Sequence, residues 1–142
     1  MHLIALLLLE KHKTKRAYQI CSSVLEIRKE TLGENHPDVG RTLCTLGRCC
    51  AAMGKLNDSV DAFRVALPIV EAAVGINHPM VGEIHVTKGE LLLRKCQFEA
   101  AKGSISTGLA VYATAKLRPT HVLVSDAQKL LETVNRDEML FV

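Results

Sequence analysis

Tryptophan is absent from the 142 residues, and two Tyr with three Phe leave the aromatic fraction at 4%. A chain so poor in π-faces offers no platform on which nucleotide bases could stack. Neither sign of charge dominates, since 18 Lys+Arg stand against 15 Asp+Glu for a net charge of +3. Nucleic-acid binders ordinarily carry a dense basic stripe, so both absences point away from that class. Long apolar runs are missing too. The opening Met1-His-Leu-Ile-Ala-Leu-Leu-Leu-Leu9 is far shorter than the roughly 20 residues that cross a bilayer. Its positive charges, Lys11, Lys13, Lys15 and Arg16, follow it, and no small-residue cleavage site succeeds it. It reads as a helix inside a domain and not as a secretory signal, and no membrane partner is expected.

Catalytic and metal-binding patterns are equally scarce. No HExxH, GxSxG or P-loop stretch occurs, so nothing supplies a nucleophile with its base, and the chain is expected not to be an enzyme. The five cysteines, Cys21, Cys44, Cys49, Cys50 and Cys96, include no CxxC pair. An odd count without a secretory signal suits reduced thiols used as small core residues in a cytoplasmic or nuclear protein. Cys49 and Cys50 are neighbours, but adjacent residues of a helix point in different directions. The six histidines include His36 and His78, which lie a full period apart and cannot share a metal. No metal and no cofactor are expected.

What the chain does have is 48% apolar residues, enough for one domain with a sizeable core, and an internal period. Leu32-Gly-Glu-Asn-His-Pro-Asp-Val-Gly40 returns as Val74-Gly-Ile-Asn-His-Pro-Met-Val-Gly82, an offset of 42 residues. The same offset lays Gly47 over Gly89, Leu56 over Phe98, Phe63 over Ile105 and Leu67 over Leu109. Each period reads as helix, turn, helix. Gly33 and Gly75 suit the left-handed residue after a helix, Asn35 and Asn77 can cap the next one, and Pro37 and Pro79 fit its first turn. Val39, Leu43, Leu46 and Cys50 mark a helix to about Met53; Val60, Phe63, Leu67 and Val70 mark a second from about Asn57 to Ala73. The next pair falls near Met80–Lys95 and Phe98–Ala115. Upstream, residues 1–11 and Thr14–Thr31 give two helices, with Lys11–Arg16 in a solvated turn between them. Downstream, Thr120–Val134 gives a closing helix. Pro68 predicts a kink or break near Ala66. The expected organisation is a helical repeat domain over residues 1–135 and a tail over 136–142.

The small and large positions Leu43, Leu46, Gly47, Gly54, Leu56, Phe63 and Ala66, then Gly89, Leu92, Phe98, Ala101, Ile105 and Gly108, resemble the tetratricopeptide pattern. With the Leu-Gly-x-Asn-His-Pro-x-Val junction, the period is similar to the kinesin-light-chain variety of that repeat. The resemblance implies an all-α, right-handed α-solenoid made of a partial repeat, two full repeats and a closing helix. It also implies a module that binds a peptide or partner protein in its concave groove. A narrower resemblance, over Pro68, Asn77-His78-Pro79, Gly82, Lys88-Gly89, Leu91, Leu93, Phe98, Ala101, His121 and Leu130-Leu131-Glu132, is to the C-terminal helical domain of SET and MYND domain lysine methyltransferases. This one implies a non-catalytic fragment whose intramolecular partner domain lies upstream. No SET domain and no MYND cysteines are present in the 142 residues.

In repeats of this class the first helices line the groove. Arg41, Cys44 and Arg48, with Ala51 and Ala52, fall on that face in one repeat, and Glu83, Val86, Glu90, Leu93 and Arg94 in the next. Arg41 and Arg48 lie seven residues apart and share a helix face, where a guanidinium can grip a peptide carboxylate with two parallel bonds. Ion pairs of Arg41 with Glu83, Arg48 with Glu90 and Glu90 with Arg94 are the competing use of the same charges. The partner-binding set expected from the sequence is therefore Arg41, Cys44, Arg48, Val86, Glu90, Leu93 and Arg94.

Overall fold

The structure, a computed structural model, describes residues 2–140, with side chains from residue 13 onward. Every regular element among the described residues is a helix: α1 His2–Leu32, α2 Pro37–Ala52, α3 Leu56–Val74, α4 Pro79–Arg94, α5 Phe98–Thr114 and α6 Val122–Leu140. The chain divides into two compact units, residues 1–69 and 70–142.

In the first unit, α1 runs unbroken for 31 residues. The turn expected at Lys11–Arg16 does not form, because no Gly or Pro stands between His2 and Leu32 to interrupt the ladder. The side chains of the apolar run Met1–Leu9 lie outside the described residues. Gly33 ends α1 at φ +91°, and its counterpart Gly75 ends α3 at the same angle. The residue that then caps the next helix is the histidine, not the asparagine expected from the sequence. Nδ1 of His36 accepts the Asp38 N–H at 3.1 Å, and Nδ1 of His78 accepts the Met80 N–H at 3.1 Å. Each proline occupies the first helical position, where its missing N–H leaves nothing unsatisfied. With that slot filled, the residue before the proline is the one whose side chain reaches the next amide. His121 does the same for Leu123 at 3.1 Å without a following proline.

The turn between α2 and α3 brings two helices together through a clamp whose close glycine contact recurs in the second unit. Ser59 is fully buried and its hydroxyl donates to the Gly47 carbonyl at 2.6 Å. A Cβ on Gly47 would stand 2.8 Å from the Phe63 ring. In the second unit the equivalent positions are Ala101, Gly89 and Ile105, and a Cβ on Gly89 would meet Ile105 Cγ1 at 2.4 Å. Pro68 sits inside α3 without breaking it. Its side chain is exposed while Ala66 is fully buried. The ring therefore clears the packed side, and the loss is the one bond its absent N–H would make to the Arg64 carbonyl. The division between the units follows directly, after Ile69.

The second unit packs α4, α5 and α6 around Ala101, Ile105, Tyr112, Val124, Ala127 and Val134. Residues 136–140 continue α6 and are not a tail. Val134 is fully buried there, and Lys102 of α5 donates to the Glu138 carboxylate. That contact raises the Lys102 pKa and lowers that of Glu138.

Candidate functional site

The pairing of α1 with α2 is set by polar side chains at its C-terminal end. Arg28 Nη1 donates to the Thr42 hydroxyl at 2.7 Å, and that hydroxyl donates to the Asp38 carbonyl at 2.8 Å. Seven residues back along α1 lies Cys21, and seven residues forward along α2 lies Cys49. Seven residues are nearly two turns, so each step returns to the same helix face. In two antiparallel helices the two cysteines therefore face each other as Arg28 and Thr42 do. Burial is the main cause that pushes the Cys49 thiol up, with the Cys21 thiol second. Farther along, Lys55 stands over the Tyr18 ring at 5.5 Å from its centroid and ties the α2–α3 turn to α1.

The same two helices leave an open cleft of about 350 Å³ lined by Lys13, Thr14 and Ala17 of α1 and by Thr45, Arg48, Cys49 and Ala52 of α2. Among the described residues each wall carries one cation and no carboxylate belongs to the lining, so an anion entering it meets attraction from both sides. Arg41, Thr45, Arg48 and Ala52 are all exposed and follow helical spacing along α2, which extends the polar strip beyond the cleft. Thr45 is held by its bond to the Arg41 carbonyl at 3.2 Å.

The residues expected to contact a partner divide into two groups. Arg41, Arg48, Glu90 and Arg94 are exposed. Arg48 lines the cleft, and the ion partner of Arg41 is Asp38 of its own helix at 3.8 Å. The three less polar members are less open: Cys44 is buried, and Val86 and Leu93 are partly buried. Cys44 is buried at 8% exposure. Val86 lies over Gly108, where a Cβ would come within 2.6 Å of its Cγ2. Leu93 packs against the core of the second unit. An apolar side chain beside a close helix contact gains more from the core than from water, which is why these three are less exposed than the charged members. Lys13 is a cleft residue that the spacing argument misses. The signal that points to it is the absence of any breaker before Gly33, which keeps Lys13 and Ala17 on one helix face.

Among the described residues no three His, Cys, Asp or Glu side chains are grouped so as to hold a metal ion. No helix among them is long and apolar enough to cross a membrane.

Helix pairs entered through a recurring histidine cap, with glycines at their closest approach, define a helical-repeat protein. The tetratricopeptide repeat family model matches residues 1–72, half of the chain, and the chain belongs to that family. No curated protein matches it. Among solved structures it is similar to a kinesin light chain-like protein of Podospora anserina with nearly identical TPR-like repeats, at 19% identity and TM-score 0.77. That match covers 92% of this chain and 62% of the other, so the chain spans less than two thirds of that relative's length. It is also similar to the type III secretion translocator chaperone SycD of Yersinia enterocolitica, at 16% identity and TM-score 0.68, covering 97% of this chain and 84% of that one. The same chaperone in complex with a peptide of the translocator YopD matches at 16% identity and TM-score 0.64, covering 97% and 96%. At these identities the likeness is one of fold. It bears on the tetratricopeptide and kinesin-light-chain resemblance and not on the SET and MYND one.

Proposed function

We propose that the chain is a non-catalytic protein-interaction module that takes an acidic segment of a partner protein into the α1–α2 cleft. The carrying observation is the pair of cations, Lys13 and Arg48, on facing walls of a cleft whose described lining residues include no carboxylate. A partner carboxylate sits between them, with Thr45 as a neutral hydrogen-bonding neighbour. Arg41 extends the strip along α2. The Yersinia chaperone of the same fold holds a peptide of the translocator YopD, and a peptide is the class of ligand we infer here. Reduced thiols suit work in the cytoplasm or nucleus. No specific observation favours the alternative, a C-terminal fragment of a SET and MYND methyltransferase docked on an upstream domain.

The test is binding of fluorescent Asp- and Glu-rich peptides, followed by anisotropy at low and raised salt. Charge-assisted bonds at an exposed cleft are screened over about 10 Å at 0.1 M salt. Wild-type affinity should therefore fall with salt, and a Lys13→Ala, Arg48→Ala double variant that keeps its helical circular dichroism should bind roughly tenfold more weakly, the equivalent of about 1.4 kcal/mol. Equal affinities of variant and wild type at low salt would refute the acidic-segment reading.

A further inference from the structure

We propose that Cys21 and Cys49 form a reversible disulfide that staples α1 to α2 when the protein meets a peroxide. The placement rests on side-chain geometry at one helix pair. The Arg28–Thr42 bond, 2.7 Å long, fixes the antiparallel register, and equal steps of seven residues along both helices bring Cys21 and Cys49 face to face. The period makes the pair conspicuous. One repeat on, Cys21 becomes Phe63 and Cys49 becomes Leu91 (21 + 42 and 49 + 42). Both counterparts are large, apolar and buried, so filling space does not by itself require thiols here, yet both of these facing positions carry one.

The two thiols are suited to different steps. Cys21 is partly exposed and reachable by a small oxidant, whereas Cys49 is buried and its thiol is pushed up, first by burial and then by Cys21. In the first step the Cys21 thiolate attacks a peroxide oxygen. The O–O bond breaks, a sulfenic acid forms on Cys21, and the departing hydroxide takes a proton to become water. In the second step the Cys49 sulfur attacks the Cys21 sulfur, the S–OH bond breaks, the Cys49 proton leaves with that hydroxyl as a second water, and the S–S bond forms. Two thiols and one hydrogen peroxide thus give one disulfide and two waters. Cys50 shares the chain neighbourhood but points elsewhere: its thiol is pushed up by burial and next by Asp58, not by Cys21. Cys49 also lines the α1–α2 cleft, which places the crosslink at the cleft wall whether or not a peptide binds there.

The experiment uses the full chain with Cys96→Ser, which removes the one exposed thiol and with it crosslinking between copies. Stoichiometric hydrogen peroxide should reduce the denatured thiol count from four to two, and a dithiol reductant should restore it. Proteolysis without reduction should release a Cys21–Cys49 linked peptide about 2 Da lighter than the sum of its parts, the mass of the two hydrogens lost. Cys21→Ser and Cys49→Ala should each abolish that peptide, while Cys50→Ser should leave it, with circular dichroism confirming that each variant is folded. A disulfide that maps to Cys49–Cys50, or Cys21 driven to the sulfinic acid without any crosslink, would overturn the assignment.

Discussion

Cys96 holds a backbone conformation that its side chain disfavours. It sits at φ +59°, just past α4, where its N–H donates to the Leu93 carbonyl at 2.9 Å and the following Gln97 N–H to the Leu92 carbonyl at 2.9 Å. One repeat earlier the same turn is made by Gly54 at φ +79°. In that region a Cβ crowds the neighbouring carbonyl, which costs roughly 1–2 kcal/mol, while Gly loses more entropy when it folds. The net expectation is that Cys96→Gly stabilises the protein by about 0.5–1 kcal/mol. A rise in the urea midpoint with an unchanged m-value checks it. The 42-residue offset already pairs Gly54 with Cys96, so this substitution is legible in the sequence as a repeat that has lost its turn glycine.

At the scale of an element, α5 carries two glycines in opposite situations. Gly103 is exposed and a Cβ added there would meet no atom within 4 Å. Gly108 is buried, and its Cβ would stand 2.6 Å from Val86 Cγ2 and 2.9 Å from the Gly82 carbonyl oxygen. The side chain could turn away, but the carbonyl belongs to the α4 backbone and could move only with the helix. Gly103→Ala should stabilise by up to about 1 kcal/mol, since Ala is the better helix former. Gly108→Ala should destabilise by about 1–3 kcal/mol through overpacking. Thermal melts of the two single variants should move in opposite directions, and a Gly108→Ala variant that melts no lower than wild type would show that α4 and α5 are not held this close. Helix count and pairing are legible in the sequence because glycines, prolines and the period punctuate the chain from Gly33 onward. The cleft is not, since it depends on α1 continuing through residues 11–16, and periodicity carries no information on how side chains from two helices share a space. For the same reason Val86 and Leu93, which have the spacing of a groove face, are also partly buried against the core of the second unit.

Taken as a whole, the chain should show stability that is limited on both sides by groups the fold keeps uncharged. On the acid side the group is His85, which replaces the buried Leu43 of the preceding repeat (43 + 42 = 85). Burial lowers its pKa below 6.5, and nearby Lys88 lowers it further against the opposing pull of Glu71. The unfolded chain therefore binds the extra proton first, so this contribution is present above pH 6.5 and is lost as pH falls through the folded value. On the alkaline side stands Tyr112, only 1% exposed, whose pKa is pushed up from 10 to about 12 by burial and then by Glu83. The sign reverses. The folded state holds the phenolic proton that the unfolded chain releases, so stability is present below pH 10 and is lost between about 10 and 12. The buried Cys49 and Cys50 thiols are raised from 9.0 and act in the same direction, starting lower. For Tyr112 the rise corresponds to a loss on the order of 2–3 kcal/mol. Urea denaturation with thiols kept reduced should give a plateau between about pH 7 and 9 with a decline on either side. Tyr112→Phe should flatten the decline above pH 10 and leave the acid limb alone, and His85→Leu should do the converse. If Tyr112→Phe loses stability between pH 10 and 12 as steeply as wild type, then the phenol is not the group that limits the fold in alkali.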